Sequence, residues 1–152
     1  MAGQAPFLYP LEPYRRRCEW DLNEALCDLA AATQALAEQE TRCDAAQREL
    51  AAAQGAGTQR PGSLLRPDLH RLTQDYLAHL HRQLRRQQEE AARLAAQREE
   101  ALGRSHHLRK LTDGVEEHRR GALREHEKQL AALACKDADD IWLQRIGWRT
   151  RR

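Results

Sequence analysis

A seven-residue apolar repeat, carried through two proline-free stretches, constrains this chain more than any other feature. Prolines occur only at Pro6, Pro10, Pro13, Pro61 and Pro67, so positions 14–60 and 68–152 run without interruption. In the first stretch Leu22, Leu29, Leu36, Cys43 and Leu50 stand seven apart, and Ala25, Ala32, Gln39, Ala46 and Ala53 follow each by three. In the second, Leu80, Gln87, Leu94, Ala101, Leu108, Val115 and Ala122 repeat the interval, with Leu84, Ala91, Arg98, Ser105 and Thr112 as companions. Such a pattern is an a/d seam, and sustaining it implies a left-handed supercoil. Alanine at alternate layers lets the partner backbone come close. Composition agrees: 32% of residues are charged and mean hydropathy is −0.85, so apolar surface suffices for a stripe but not for a layered core.

The punctuation gives the organisation. Residues 1–13, with Pro6, Pro10 and Pro13, read as an extended arm. Residues 14–53 read as a first coiled-coil helix, 54–67 as a Gly/Pro loop at a hairpin tip, 68–145 as a second coiled-coil helix, and 146–152 as a basic tail. Pro67 and Asp68 suit the opening turn of the second helix, one by its fixed φ and the other by complementing the dipole. Gly103, Gly114 and Gly121 each cost about 1 kcal/mol against alanine but have no proline beside them, so one helix is kept. The predicted fold is all-α: two long helices in an antiparallel coiled-coil hairpin, the second longer than the first. A parallel homodimer of long helices is the alternative, and the Gly/Pro break argues against it. At 1.5 Å per residue the helices span roughly 60 Å and roughly 115 Å. Folding about the loop pairs the start of helix one with residues near His107, leaving roughly 35–40 residues of helix two overhanging. That overhang carries Leu108, Leu111, Val115, Leu123, Leu130, Leu133, Ile141 and Trp142, a stripe that the arm or another protein must cover.

Charge and chemistry exclude several functions. Net charge is +2 with both signs interspersed, which gives no basic face for nucleic acid; only the Arg149, Arg151 and Arg152 tail is unbalanced. Cys18, Cys27, Cys43 and Cys135 have neither zinc-finger nor disulfide-framework spacing and read as reduced thiols. No apolar run approaches the roughly 20 residues of a membrane span, and the opening sequence has its charge after its apolar patch, the reverse of a signal peptide. A cytoplasmic location is expected. Phosphate-loop, GxSxG and HExxH motifs are missing. His79 and His81, like His106 and His107, fall on different helix faces, and His118 and His126 are too far apart for one ion. Asp137, Asp139 and Asp140 read as a solvated turn or a partner contact. No enzyme activity, cofactor or metal is expected.

Two surfaces stand out as partner contacts. Near the tip, Tyr76 with Leu72, Leu77, Leu80 and Leu84 makes an apolar surface wider than a two-stranded seam uses, unless Leu64 and Leu65 fold over it. At the other end Trp142 and Trp148 are either anchors for a partner or packed on the arm.

The layout resembles the FliJ/YscO family, the central-stalk proteins of flagellar and type III export machines. The stretch Asp139-Asp140-Ile141-Trp142-Leu143-Gln144-Arg145 is similar to that family's acidic pair followed by a hydrophobic, Gln-Arg ending. Tyr76-Leu77-Ala78-His79-Leu80 is similar to the family's aromatic-xxx-Leu helix opening. The resemblance implies a non-enzymatic, cofactor-free stalk, peripheral to the inner-membrane export apparatus and monomeric alone. Its implied partners are a hexameric type III export ATPase and the cytoplasmic domain of the export gate protein, with export chaperones in addition. Carried over by position, Tyr76, Leu80 and Leu84 meet the gate. Leu130, Leu133, Asp139, Asp140, Ile141, Trp142 and Arg145 meet the ATPase ring. On the helix-one side of the tip face some relatives are aromatic, whereas this chain has Gln39, Cys43, Ala46 and Leu50. Two other roles fit the same pattern: an export chaperone or chaperone escort holding a substrate segment, and a coiled-coil scaffold that homodimerises.

Overall fold

The computed structural model describes residues 6–58 and 67–149. Two helices make up the chain, α1 (Glu12–Thr58, 47 residues) and the longer α2 (Pro67–Arg149, 83 residues), with no strand among the described residues. They form an antiparallel helical hairpin. No described helix is long and apolar enough to cross a membrane.

α1 begins two residues ahead of the expected Tyr14. The Glu12 amide donates to the Tyr9 carbonyl at 3.1 Å and the Arg15 amide to Leu11 at 2.9 Å, closing a turn that feeds the helix. Pro13 sits in that opening turn, where its missing N–H costs nothing. Glu12 answers the positive end of the dipole and holds Arg15 through Nε at 3.0 Å and Nη2 at 2.7 Å. At the other end the helix continues past Ala53 and through Gly55 to Thr58. The run Ala51-Ala52-Ala53 favours helix strongly enough that two glycines, Gly55 and Gly57, do not stop it. α2 likewise passes Arg145 and reaches Arg149, and Gly103, Gly114 and Gly121 leave it a single element. The tip residues 59–66, including Leu64 and Leu65, lie outside the described residues.

The packing falls into two units. One comprises Asn23–His107. Here Ala25, Gln39, Cys43, Ala46 and Leu50 of α1 are buried, as are Leu80 and Ser105 of α2. Leu29, Ala32, Leu36 and Ala53 are half-buried, and so are Leu84, Gln87, Ala91, Leu94, Arg98 and Ala101. These are the heptad positions of the sequence. The cross-helix contacts fix the direction of pairing: Asp28 with Arg104 at 3.3 Å, Gln39 with Gln87 at 2.5 Å, and Glu49 with the Tyr76 hydroxyl at 3.4 Å. Among the described residues no large side chain is fully buried, as expected of a seam only two helices wide. Asp28–Arg104 is exposed on both sides and adds about 0–1 kcal/mol. Stability therefore rests on the stripe.

The second unit joins the chain up to Leu22 with the chain from Leu108 onward. Cys18 is buried in its seam, and the Thr112 hydroxyl donates to the Leu108 carbonyl at 2.9 Å while lying 3.4 Å from that of Cys18. The arm covers the next part of α2. Tyr9 is only 8% exposed, its hydroxyl 2.8 Å from His118 Nδ1 and 3.4 Å from the Val115 carbonyl. Phe7 stacks on Tyr9 at 6.4 Å between centroids and meets the His126 ring at 5.5 Å. The overhang is thus shorter than helix lengths alone suggest. Helix counting gives the arm no reach, yet an extended segment covers more than 3 Å per residue against 1.5 Å for helix, so a few arm residues shield several turns. Val115, Ala122, Leu123 and Leu130 are half-buried, and every residue from 131 to 147 is exposed.

Candidate protein-interaction surfaces

The exposed end of α2 gathers several of the large apolar groups that the packing leaves in solvent, Leu133, Ile141, Trp142, Leu143 and Ile146. Leu133, Ile141, Trp142 and Leu143 are each more than half exposed, Trp142 the most at 62%. At 100° per residue Leu130, Leu133 and Ile141 share one face, Trp142 lies well round from it, and Leu143 lies on the far side. Ile141, Trp142 and Leu143 therefore spread apolar groups over roughly 200° of the helix surface, wider than a two-helix seam uses, while Asp140 and Gln144 occupy the remaining side. Leu130 is half-buried near the reach of the arm. Asp139, Asp140 and Arg145 are exposed and form no ion pair among the described residues. Asp137, Asp139 and Asp140 stand in the turn just before this apolar cluster. Trp142 packs on none of the described arm residues; the Trp148 side chain and the Arg151–Arg152 end lie outside the described residues.

Near the tip the structure separates residues that the sequence grouped together. Leu80 is buried at 4% exposure and Leu84 is half-buried, both taken up by the seam with α1. Tyr76 is 48% exposed, tethered lightly by its hydroxyl to Glu49. Leu69 and Leu72 are exposed as well, and 69, 72 and 76 follow i, i+3, i+7 spacing on one helix face. The available apolar surface is therefore Leu69, Leu72 and Tyr76. Leu69 escaped the sequence reading, although its spacing from Tyr76 carries the signal.

A third exposed aromatic, Trp20, lies on α1, with the Arg17 guanidinium 5.2 Å above its ring. Charge around this helix start is internally matched. The Arg15 hydrogen bond, followed by that from Arg16, holds the Glu12 carboxyl well below the usual carboxylate range, at about 2, and Glu12 in turn raises the Arg15 guanidinium. Tyr14 is pushed up, first by its hydrogen bond with Cys18 and further by Asp21.

No group of three or more His, Cys, Asp or Glu among the described residues could hold a metal ion. The four cysteines are free thiols, Cys18 and Cys43 buried, Cys27 and Cys135 exposed. Comparison with models of known protein families, with curated proteins and with solved structures finds no match to the chain.

Proposed function

We propose that the chain is a non-enzymatic stalk of a type III secretion or flagellar export apparatus. In this reading it couples a hexameric export ATPase to the cytoplasmic domain of the export gate and promotes protein translocation. It works in the cytoplasm, peripheral to the membrane-embedded machinery. The observation that carries the reading is the exposed apolar cluster of Ile141, Trp142 and Leu143: apolar groups spread over roughly 200° of a helix end suit a partner that contacts it from more than one side, as a ring does. Leu133 extends the same contact, and Asp139, Asp140 and Arg145 add charge at its rim. At the tip, Tyr76 with Leu69 and Leu72 offers the gate a small apolar face, while Leu80 and Leu84 act indirectly by fixing the helix that presents it. Paired helices supply the stiffness that coupling needs. Interspersed charge along the outer faces disfavours self-association and sticky contact with equivalent ring subunits. Export chaperones are further candidate partners.

The test is ATP hydrolysis by a cognate type III export ATPase, with and without the full-length protein. Stimulation is expected, lost on truncation after Leu133 and retained in a Leu72→Ala/Tyr76→Ala variant. A chain that leaves the ATPase unaffected and sediments as a stable homodimer would instead be a scaffold.

A further inference from the structure

A shallow trough crosses the hairpin within the Asn23–His107 unit. One part, of about 250 Å³, is lined by His79, Arg82, Gln83, Arg86 and Gln87. The adjoining part, of about 230 Å³, shares Gln83 and Gln87 and is completed from α1 by Arg42, Ala45, Ala46 and Glu49. Guanidinium groups from both helices thus flank a floor of two glutamines. Elsewhere Arg15, Arg93, Arg104, Arg119 and Arg124 hold carboxylates. Arg42, Arg82 and Arg86 are exposed and hold none among the described residues. One carboxylate, Glu49, lines the trough itself, against the three arginines. Glu49 accepts the Tyr76 hydroxyl at 3.4 Å and Glu90 holds Arg93 at 2.7 Å, while Asp75 and Glu89 bracket the ends on α2.

We propose that this trough docks an acidic helical segment of a partner protein. Arg82 and Arg86 lie one helical turn apart, about 6 Å along the axis, which matches carboxylates at i, i+4 on a facing helix. Guanidinium forks bind carboxylates bidentately, and Gln83 and Gln87 supply neutral amides between them. The bracketing Asp75 and Glu89 limit the segment to about two turns and reject a longer run of negative charge. The inference stands on the trough alone and does not depend on the coupling role.

Fluorescence anisotropy on the full chain tests it, with a labelled alanine-based helical peptide bearing glutamates at i and i+4, its glutamine counterpart, and inorganic phosphate as competitor. The acidic peptide is expected to bind at least about tenfold tighter than the glutamine peptide, and more weakly as salt rises. An Arg42→Gln/Arg82→Gln/Arg86→Gln variant should lose that preference while an Arg120→Gln/Arg124→Gln control keeps it, both retaining the parent helical circular dichroism. Equal binding of the two peptides, no binding at all, or full affinity in the triple variant would overturn the proposal. So would complete displacement by millimolar phosphate, which would mark a simple anion site. Self-association of the chain abolished by the triple variant would likewise overturn it in favour of a second copy.

Discussion

Removing the glutamine layer at the middle of the seam should cost more than its exposed neighbours suggest. Gln39 is 4% exposed, and its amide donates to Gln87 Oε1 at 2.5 Å and to the Gln87 carbonyl at 3.1 Å. Each such bond contributes about 0.5–1.5 kcal/mol net. Gln39→Ala removes both and leaves a gap, while the half-buried Gln87 regains part of its loss from water, so about 2 kcal/mol is expected. For a chain of this length that is a drop of about 4–8 °C in Tm. Gln87→Ala removes only the side-chain bond and should cost about 1 kcal/mol. Urea unfolding of the two single variants and the double variant, followed at 222 nm, yields the coupling energy, expected at about 1 kcal/mol. Leucine at both positions is a separate arm. It should be at least as stable as the parent, because two buried amides are exchanged for apolar packing, but it should lose discrimination between hairpin and homo-oligomer. A coupling energy below about 0.3 kcal/mol would mean that the two glutamines act independently, and the reasoning fails.

Other consequences follow from particular contacts. Tyr9→Phe loses the bond to His118 and should weaken arm docking by about 1 kcal/mol, whereas Tyr9→Ala should free the arm and strip hydrogen-exchange protection from the Glu12 amide that bonds Tyr9. Glu12 has its carboxyl lowered from 4.5 to about 2, so its contribution is complete above the ordinary value and fades as pH falls through about 2. Carbon-13 NMR of the Glu12 carboxyl should show this low titration, moved up toward 4.5 by Arg15→Gln. Gly103→Ala and Gly114→Ala should each stabilise by about 1 kcal/mol in thermal unfolding, since both lie inside α2 and an added Cβ meets nothing within 4 Å.

The hairpin was legible because its determinant is local and periodic: each heptad position from Leu22 to Ala53 and from Leu80 to Ala122 is buried or half-buried. Helix ends were less so, because the propensity of the Ala51–Ala53 run outweighs the two glycines, Gly55 and Gly57, that follow it. The clip of Phe7 and Tyr9 onto His126 and His118 was legible only as one way of covering the stripe, since an extended arm has no period to register against a helix. Leu80 carries a second lesson. It belongs to the heptad and to the apolar tip at once, and a side chain spent in the seam is not available to a partner; the exposed face shifts to Leu69, Leu72 and Tyr76. Exposure at Ile141 and Trp142 was readable from their distance beyond any partner helix. The trough of Arg42, Arg82 and Arg86 was not, because it needs the register between α1 and α2.

Two-ended coupling is tested most directly by placing a photo-crosslinking amino acid at Trp142 or at Tyr76 in the assembled export apparatus and identifying what each captures. The account predicts the export ATPase at position 142 and the cytoplasmic domain of the gate at position 76. Capture of one and the same protein from both positions, or of only a second copy of the chain, would contradict it.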